Sequence, residues 1–461
     1  MEPCDSDLPR INALRSPWIK ESRVMKLRQL FKNEFLTLLT QGDTHEALFE
    51  REIHGHAPEP PLPEEARQHL ERWHMPEQGF RNYWYPVMLS RQLKKRPVKR
   101  RLLGEDIAFW RDGGKVNAIA DRCPHRGASI SRGHIRFPGS GTITCPYHGW
   151  TYDGTGQLRA CIQEGPHSVM PSKVKTKAYP VEERLNVIWV WIGDMEAVPI
   201  EEDLPVAMKI PGVANLIHFT KVWNNNWSLL FDNFIDGLHA PYLHRLSPQF
   251  LLRKLAFRAL DGRPHFQFVE HDGKLLECAH TRGAQRPEAR QGLVFEMEYP
   301  GVGKFPHNEW WRFRGPKMRP KENFLPGIPP GSFVHGLPSY VHTVHKDLYF
   351  TQFIIPVDRY HLYNMCALTG HLDGMRKLAW RLYYNIFSVT HDRIFIGQDT
   401  RVLRYSTFGP ERLSPLDQDV IYWRKFAVRN ARGYMKSQKS KGNEMNFPDE
   451  SAEFNTLREV F

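Results

Sequence analysis

The chain has 461 residues, 41% hydrophobic and 25% charged, with 13 tryptophans and a formal net charge of +12. That length exceeds what one hydrophobic core ordinarily supports, so two domains are expected. No apolar run approaches the roughly 18 to 20 residues that cross a bilayer, and the acidic start Met1-Glu2-Pro3-Cys4-Asp5 lacks the regions of a signal peptide. A cytoplasmic location with no membrane attachment is the expectation. Six cysteines (4, 123, 145, 161, 278 and 366) are too few and too scattered for a disulfide framework. In a reducing compartment a close Cys/His grouping holds metal instead.

Residues 1 to 53 carry Val24, Leu27, Leu30, Phe31, Phe35 and Leu38 at helical spacing. A Pro-rich connector follows from Gly55 to Pro63, then a short helix from Glu64 to Trp73. Residues 1–76 therefore read as an extension packed onto the domains, with His54 and His56 incidental. The basic run from Arg91 to Arg101 reads either as a solvated loop face or as a docking patch for an acidic electron-transfer protein. Similar runs recur at 317–321 and 436–441. No base-reading motif accompanies the charge, so nucleic acid is not an expected partner.

From Tyr83 to Asp194 the pattern is that of a small β domain. Asp106–Trp110 and Lys115–Ile119 flank Asp112-Gly113-Gly114, a hairpin signature. Thr142–Thr144 and Val187–Ile192 read as further strands. After Pro205 the character turns α+β. A helix opens at Asn226-Trp227 and runs to Leu238. Strands are expected at His265–Val269, Gly292–Glu296 and Leu348–Ile355. A long helix follows from Met375 to Arg404, and another starts at Val420.

Two elements carry the chemistry of the first domain, Cys123-Pro124-His125 and Cys145-Pro146-Tyr147-His148, separated by nineteen residues (126 to 144). Two thiolates and two imidazoles suit zinc or an iron–sulfur cluster. Each element contributes one Cys and one His, the mixture of a Rieske [2Fe–2S] centre, whereas zinc ribbons more often use paired-cysteine knuckles. Gly127 and Gly149 let the loop backbones approach the sulfurs. Further on, Asp236-Gly237-Leu238-His239 and His244 offer imidazoles for a second metal. Five residues apart on a continuous helix, the two histidines would diverge by about 140°. Pro241 breaks that helix and lets His244 turn back.

At this point the chain resembles the α subunits of the Rieske non-haem iron oxygenases, over roughly residues 77 to 430. Cys123–Gly127 and Cys145–Trp150 are similar to that family's cluster motif. Asn226-Trp227 and Asp236-x-x-His239-x4-His244 are similar to its second signature. Gly79–Met88 and Trp423-Arg424-Lys425 are similar to the branch containing carbazole and 2-oxoquinoline oxygenases.

The resemblance implies an α+β architecture, with a small all-β Rieske domain (77–200) and a larger catalytic domain (201–461) built on a helix-flanked antiparallel sheet. Cys123, His125, Cys145 and His148 would hold the [2Fe–2S] cluster. His239 and His244 would bind a mononuclear Fe(II) with one carboxylate, leaving positions open. The two carboxylate candidates, Asp392 and Asp399, lie seven residues apart and share a helical face. Position within the family favours Asp392, with Asp399 the alternative. Asp236, one turn before His239, would not be a ligand but would bridge the iron site to His148 of a neighbouring subunit in a homotrimer.

The implied activity is oxygenation of an apolar aromatic or polycyclic substrate, by ring hydroxylation or cis-dihydroxylation. The electrons would come from NAD(P)H through a ferredoxin or reductase. Monooxygenation or O-/N-demethylation is the alternative outcome at the same site. A Rieske electron carrier without oxygenase activity is the alternative from a different class.

Overall fold

The computed structural model describes residues 75–236, 239, 243–244, 265–271, 274–280, 295–299, 303–307, 333–345, 348–403, 406, 411, 413 and 417–440. The expectations for residues 1–74, for the basic run at 317–321 and for Pro241 lie outside them.

The first half is built of short antiparallel strands: β1 (Tyr83–Leu89), β2 (Val98–Leu102), β3 (Glu105–Asp112), β4 (Lys115–Ala120), β5 (Ile143–Thr144), β6 (Trp150–Tyr152), β7 (Leu158–Cys161), β8 (Val181–Arg184) and β9 (Val187–Ile192). They form three three-stranded sheets, β1-β9-β8, β2-β3-β4 and β5-β6-β7. The expected hairpin is present. Asp112 pairs with Lys115 across Gly113 and Gly114, both at positive φ (57° and 80°), the conformation a two-residue turn needs. All six residues of β9 are buried, which explains its unbroken apolar sequence.

One basic run is corrected here. Val98–Leu102 is a strand rather than a loop face. Lys99 and Arg101 both pair with Asp106, at 3.0 and 2.7 Å, and Arg100 is buried. Within this run Arg91, Lys94, Lys95 and Arg96 stay exposed.

The second half adds β10 (Ala214–Phe219), β11 (His265–His271), β12 (Lys274–His280), β13 (Phe295–Tyr299), β14 (Gly303–His307), β15 (Phe333–Gly336), β16 (Tyr340–His345), β17 (Leu348–Pro356) and β18 (Leu362–Gly370). Seven of these make one antiparallel sheet in the order β10-β18-β17-β16-β15-β12-β11. The helices are α1 (Trp227–Ile235), α2 (Gly374–Thr390), α3 (Ile396–Leu403), α4 (Gln418–Asn430) and α5 (Tyr434–Ser440).

Helix α1 starts where expected, because Asn226 caps it by accepting from the Ser228 N–H at 2.9 Å. It stops at Ile235, short of the expected Leu238, and Asp236 is already extended (φ −66°, ψ 99°). The long helix expected from Met375 is interrupted. Between α2 and α3 the residues His391–Phe395 form a π-helical turn.

A single core joins the two halves. Tyr85 and Trp189 of the first meet Phe353 of β17 edge-on, and the Tyr363 hydroxyl donates to the carbonyls of Pro86 and Val87. A second core, containing Ala108, Trp110, Ile119, Ile143, Trp150 and Tyr152, lies with Cys123 and Cys145 in the first half.

Candidate redox cluster and candidate metal centre

The two Cys/His loops are built alike. In each, the cysteine carbonyl accepts from the glycine N–H four residues on, Gly127 to Cys123 at 2.8 Å and Gly149 to Cys145 at 3.2 Å. Both glycines sit at positive φ, 76° and 67°, which an L side chain resists. Asp121 ties down the first loop by accepting from the Ser129 hydroxyl and the Ser131 N–H, each at 2.6 Å.

The result is polarised. Both cysteines are 2% exposed, while His125 lies on the surface and His148 is half-buried. The two imidazole rings approach to 4.5 Å, and Trp150 stacks on His125 at 4.4 Å. The Cys123 thiol lies 3.2 Å from the Tyr152 hydroxyl. Hydrogen bonding from the Cys145 thiol, then from Tyr152 and the amides of His125 and Arg126, outweighs burial and holds the Cys123 thiol below the ordinary cysteine range. Cys145, the other half of this pair, is pushed up by Cys123 and by burial.

These residues fit a [2Fe–2S] cluster. The thiols pair with each other and the imidazoles with each other, as two irons with unlike ligands require. Among the described residues, the groups whose donor atoms converge as around one ion do not include this set. That is the opposite of what a tetrahedral zinc ribbon shows.

The second centre brings together His239, His244 and Asp399, whose donor atoms all lie within 4.8 Å of one another. His244 Nε2 is 3.0 Å from Asp399 Oδ1, and His239 Nε2 is 3.5 Å from it. The far nitrogens are held. His244 Nδ1 bonds Gln398 Oε1 at 2.9 Å, and His239 Nδ1 donates to the Asp236 carbonyl. Each contact puts the proton on Nδ1 and leaves Nε2 facing the carboxylate. Phe395 stacks on His244 at 3.7 Å, and Asn233 approaches His239 Nε2 at 3.4 Å.

Asp399 is 1% exposed, and neither of its oxygens receives a well-directed hydrogen bond. Both imidazoles approach Asp399 Oδ1 through Nε2, so the three groups converge on one point. A buried carboxylate left that way is costly unless a cation faces it. Burial opposes charge on His239, yet Asp236 and Asp399 outweigh it and raise its pKa to about 9. The same negative field favours a divalent cation, and with two imidazoles and one carboxylate the donor set fits Fe(II).

Asp392 does not join this group, which corrects the expectation that it supplies the carboxylate. It bonds His218 Nε2 at 2.7 Å and His391 Nδ1 at 3.1 Å. Seven helical residues span about 10.5 Å along the axis, too far for both aspartates to reach one ion. The π-turn also shifts the angular phase between them.

Asp236 is off the helix rather than on a shared helical face with His239. Its carboxylate nevertheless lies 3.7 Å from His239 Nδ1 and is 28% exposed. Sequence reasoning missed Gln398 and Phe395. Their only signal was their place beside Asp399.

The family model for the Rieske [2Fe-2S] domain matches residues 83–180, and the chain carries that domain. The chain is 38% identical over 188 residues to the terminal oxygenase component of carbazole 1,9a-dioxygenase from Sphingomonas sp, covering 40% of this chain and 48% of that protein. It is 31% identical over 247 residues to the 4beta-methylsterol monooxygenase of Methylococcus capsulatus, covering 51% and 64%. The chain thus spans about half the length of the carbazole relatives it matches.

Among solved structures, the reduced complex between oxygenase and ferredoxin in carbazole 1,9a-dioxygenase superposes with a TM-score of 0.62 at 23% identity. The match covers 84% of this chain and 100% of that one. The terminal oxygenase of carbazole 1,9a-dioxygenase from Novosphingobium sp. KA1 gives 0.59 at 24% identity, covering 80% and 98%. The fold is that of these oxygenases: a Rieske β domain and a larger α+β part on an antiparallel sheet.

Proposed function

We propose that this chain is the terminal oxygenase component of a multicomponent Rieske oxygenase. It would use O2 and electrons originating in NAD(P)H to hydroxylate an apolar aromatic or polycyclic substrate. One observation carries the reading: a chain with a Rieske domain also gathers His239, His244 and Asp399 around one point, 3.0 to 3.5 Å from imidazole to carboxylate. An electron carrier would need no second centre. Monooxygenation is the second reading, favoured by the methylsterol monooxygenase relative, which aligns with 51% of this chain.

In this reading Cys123 and Cys145 hold one iron of the cluster and His125 and His148 the other, within a redox part spanning 77–200. His239, His244 and Asp399 hold the mononuclear iron within a catalytic part spanning 201–461. The cluster supplies electrons singly, and the Fe(II) supplies open positions for O2. The exposed His125 edge is where an electron enters or leaves the domain. Arg122, Arg126 and Arg132 are exposed nearby in sequence and suit an acidic ferredoxin or reductase. Gln398 and the Asp236 carbonyl hold the Nδ1 protons and orient both imidazoles. Phe395 covers His244 and keeps water from that face. Asp236, half-buried beside His239, would meet His148 of a neighbouring subunit in a homotrimer, completing an electron path between chains. No helix among the described residues is long and apolar enough to cross a membrane.

The test is metal and sulfide analysis with a visible spectrum, for wild type and His239→Ala. The wild type should hold about three irons and two acid-labile sulfides per chain. The variant should lose one iron and all substrate turnover while keeping the Rieske spectrum. Full turnover in the variant would overturn the reading.

A further inference from the structure

The polar cluster beneath the π-turn plays no part in the two centres above. His218 on β10 and Cys366 on β18 are register partners, and Gln352 on β17 is the next partner of Cys366. The three therefore form one row across adjacent strands. Cross-strand neighbours of this kind place their β-carbons about 5 Å apart on one face. Asp392 descends onto the row from the π-turn, and the donor atoms of His218, Cys366 and Asp392 lie within 4.8 Å of one another.

We propose that His218 Nε2, Cys366 Sγ and the Asp392 carboxylate form a second metal site, for a thiophilic divalent cation of the zinc class. Four features support it beyond proximity. The donor set, one imidazole, one thiol and one carboxylate, is typical of zinc rather than of magnesium or calcium. Each polar donor has a partner on its far side: the Tyr384 hydroxyl at His218 Nδ1 (2.9 Å), and His391 Nδ1 at the other Asp392 oxygen (3.1 Å). Metal-binding histidines and carboxylates are oriented by such contacts. Cys366 is fully buried, whereas the side chains of His218 and Asp392 keep 21% and 15% exposure, so an ion has an entry side. A hydrogen-bonded pair of His218 and Asp392 would not need a thiol opposite the imidazole.

Binding replaces the thiol proton and the His218–Asp392 hydrogen bond. The Cys366 proton leaves to solvent by the same open side, the His218 proton moves from Nε2 to Nδ1, where the Tyr384 hydroxyl oxygen accepts it, and a Zn–S bond of about 2.3 Å forms. The fourth position is left to water. The site has a mechanical role as well. Helix α2 rests on the sheet chiefly through Tyr384 and the half-buried Trp380, while Met375, Leu378, Leu382 and Ile386 are exposed. An ion at its C-terminal end would fasten the segment that continues into Asp399.

The experiment uses holoprotein with its iron in place, incubated with one equivalent of zinc chloride and desalted. It is read by metal analysis and by X-ray absorption at the zinc edge. The expected result is one zinc per chain, retained without loss of iron, with one sulfur neighbour at about 2.3 Å. Cys366→Ser should lose the sulfur neighbour and bind zinc at least tenfold more weakly. His239→Ala should bind it as the wild type does. Three results would each overturn the proposal: zinc not retained by the wild type, zinc with only nitrogen and oxygen neighbours, or zinc that displaces iron mole for mole. The wild-type absorption spectrum decides the question even if Cys366→Ser fails to fold.

Discussion

His244 Nε2 and Asp399 Oδ1 lie 3.0 Å apart, both side chains sealed from solvent, although 155 positions separate them in the chain. His244 follows the short helix α1, and Asp399 sits in α3, just beyond the π-turn. The helices pack together through a shared core of Phe231, Trp423 and Ile396. That packing brings the carboxylate to the histidines.

Replacing either aspartate separates their roles. Asp399→Ala should lose the mononuclear iron and keep the Rieske spectrum. Asp392→Ala should keep all of its iron. Iron analysis after desalting checks both, and the reverse pattern would show that Asp392 is the ligand.

Gln398 accepts from His244 Nδ1 and so leaves Nε2 facing Asp399. Gln398→Ala should weaken iron binding by about 10- to 100-fold, the usual cost of losing such a partner. Gln398→Glu should restore most of it. Iron retention during chelator titration is the measurement.

Asp236→Asn keeps the backbone carbonyl that holds His239 but removes the carboxylate charge. Both metal contents should stay intact while electron delivery to the iron slows by at least about tenfold. Stopped-flow reoxidation of the reduced Rieske cluster, with substrate and O2, reads that rate. An unchanged rate would remove Asp236 from the electron path.

Glu105 accepts from Arg81 at 2.7 Å and from Lys177 and the Tyr179 hydroxyl at 2.5 Å each. Burial opposes its charge, but the three donors outweigh it and hold the carboxyl below the usual range. A depressed carboxylate adds stability above its unfolded pKa, near 4.5, and loses it as the pH falls through the folded value. Glu105→Gln should therefore be less stable than wild type at pH 7. The gap should narrow steadily below about pH 4.5, as denaturant titrations at several pH values would show.

Asn226 caps α1 and also donates to the carbonyls of Glu77 and Arg359, at 3.1 and 2.7 Å. Asn226→Ala should cost about 2 kcal/mol, the upper end for a lost cap, because two half-buried carbonyls lose a donor as well. Denaturant unfolding measures it.

The local rules were legible where a short stretch fixes its own geometry. The Gly113-Gly114 turn, the Asn226 cap and the twin Cys/His loops all follow from residues within a few positions of one another. The apolar run Val187–Ile192 marked β9 as a strand for the same reason. The basic stretch at Val98–Leu102 was misread because its neutralising partner, Asp106, lies on the next strand. Charge alone does not reveal a pairing.

The sequence by itself determined the chemistry available: two thiols and four imidazoles, in two motifs whose spacing matches a redox cluster and a metal centre. Only the tertiary structure chose between Asp392 and Asp399. Helical periodicity places them on one face and cannot rank them. The choice depends on axial distance, on the π-turn that shifts the phase between them, and on which neighbour each carboxylate finds when the helix docks. Asp392 found His218 and Asp399 found His244, and those meetings are set by packing across more than a hundred residues.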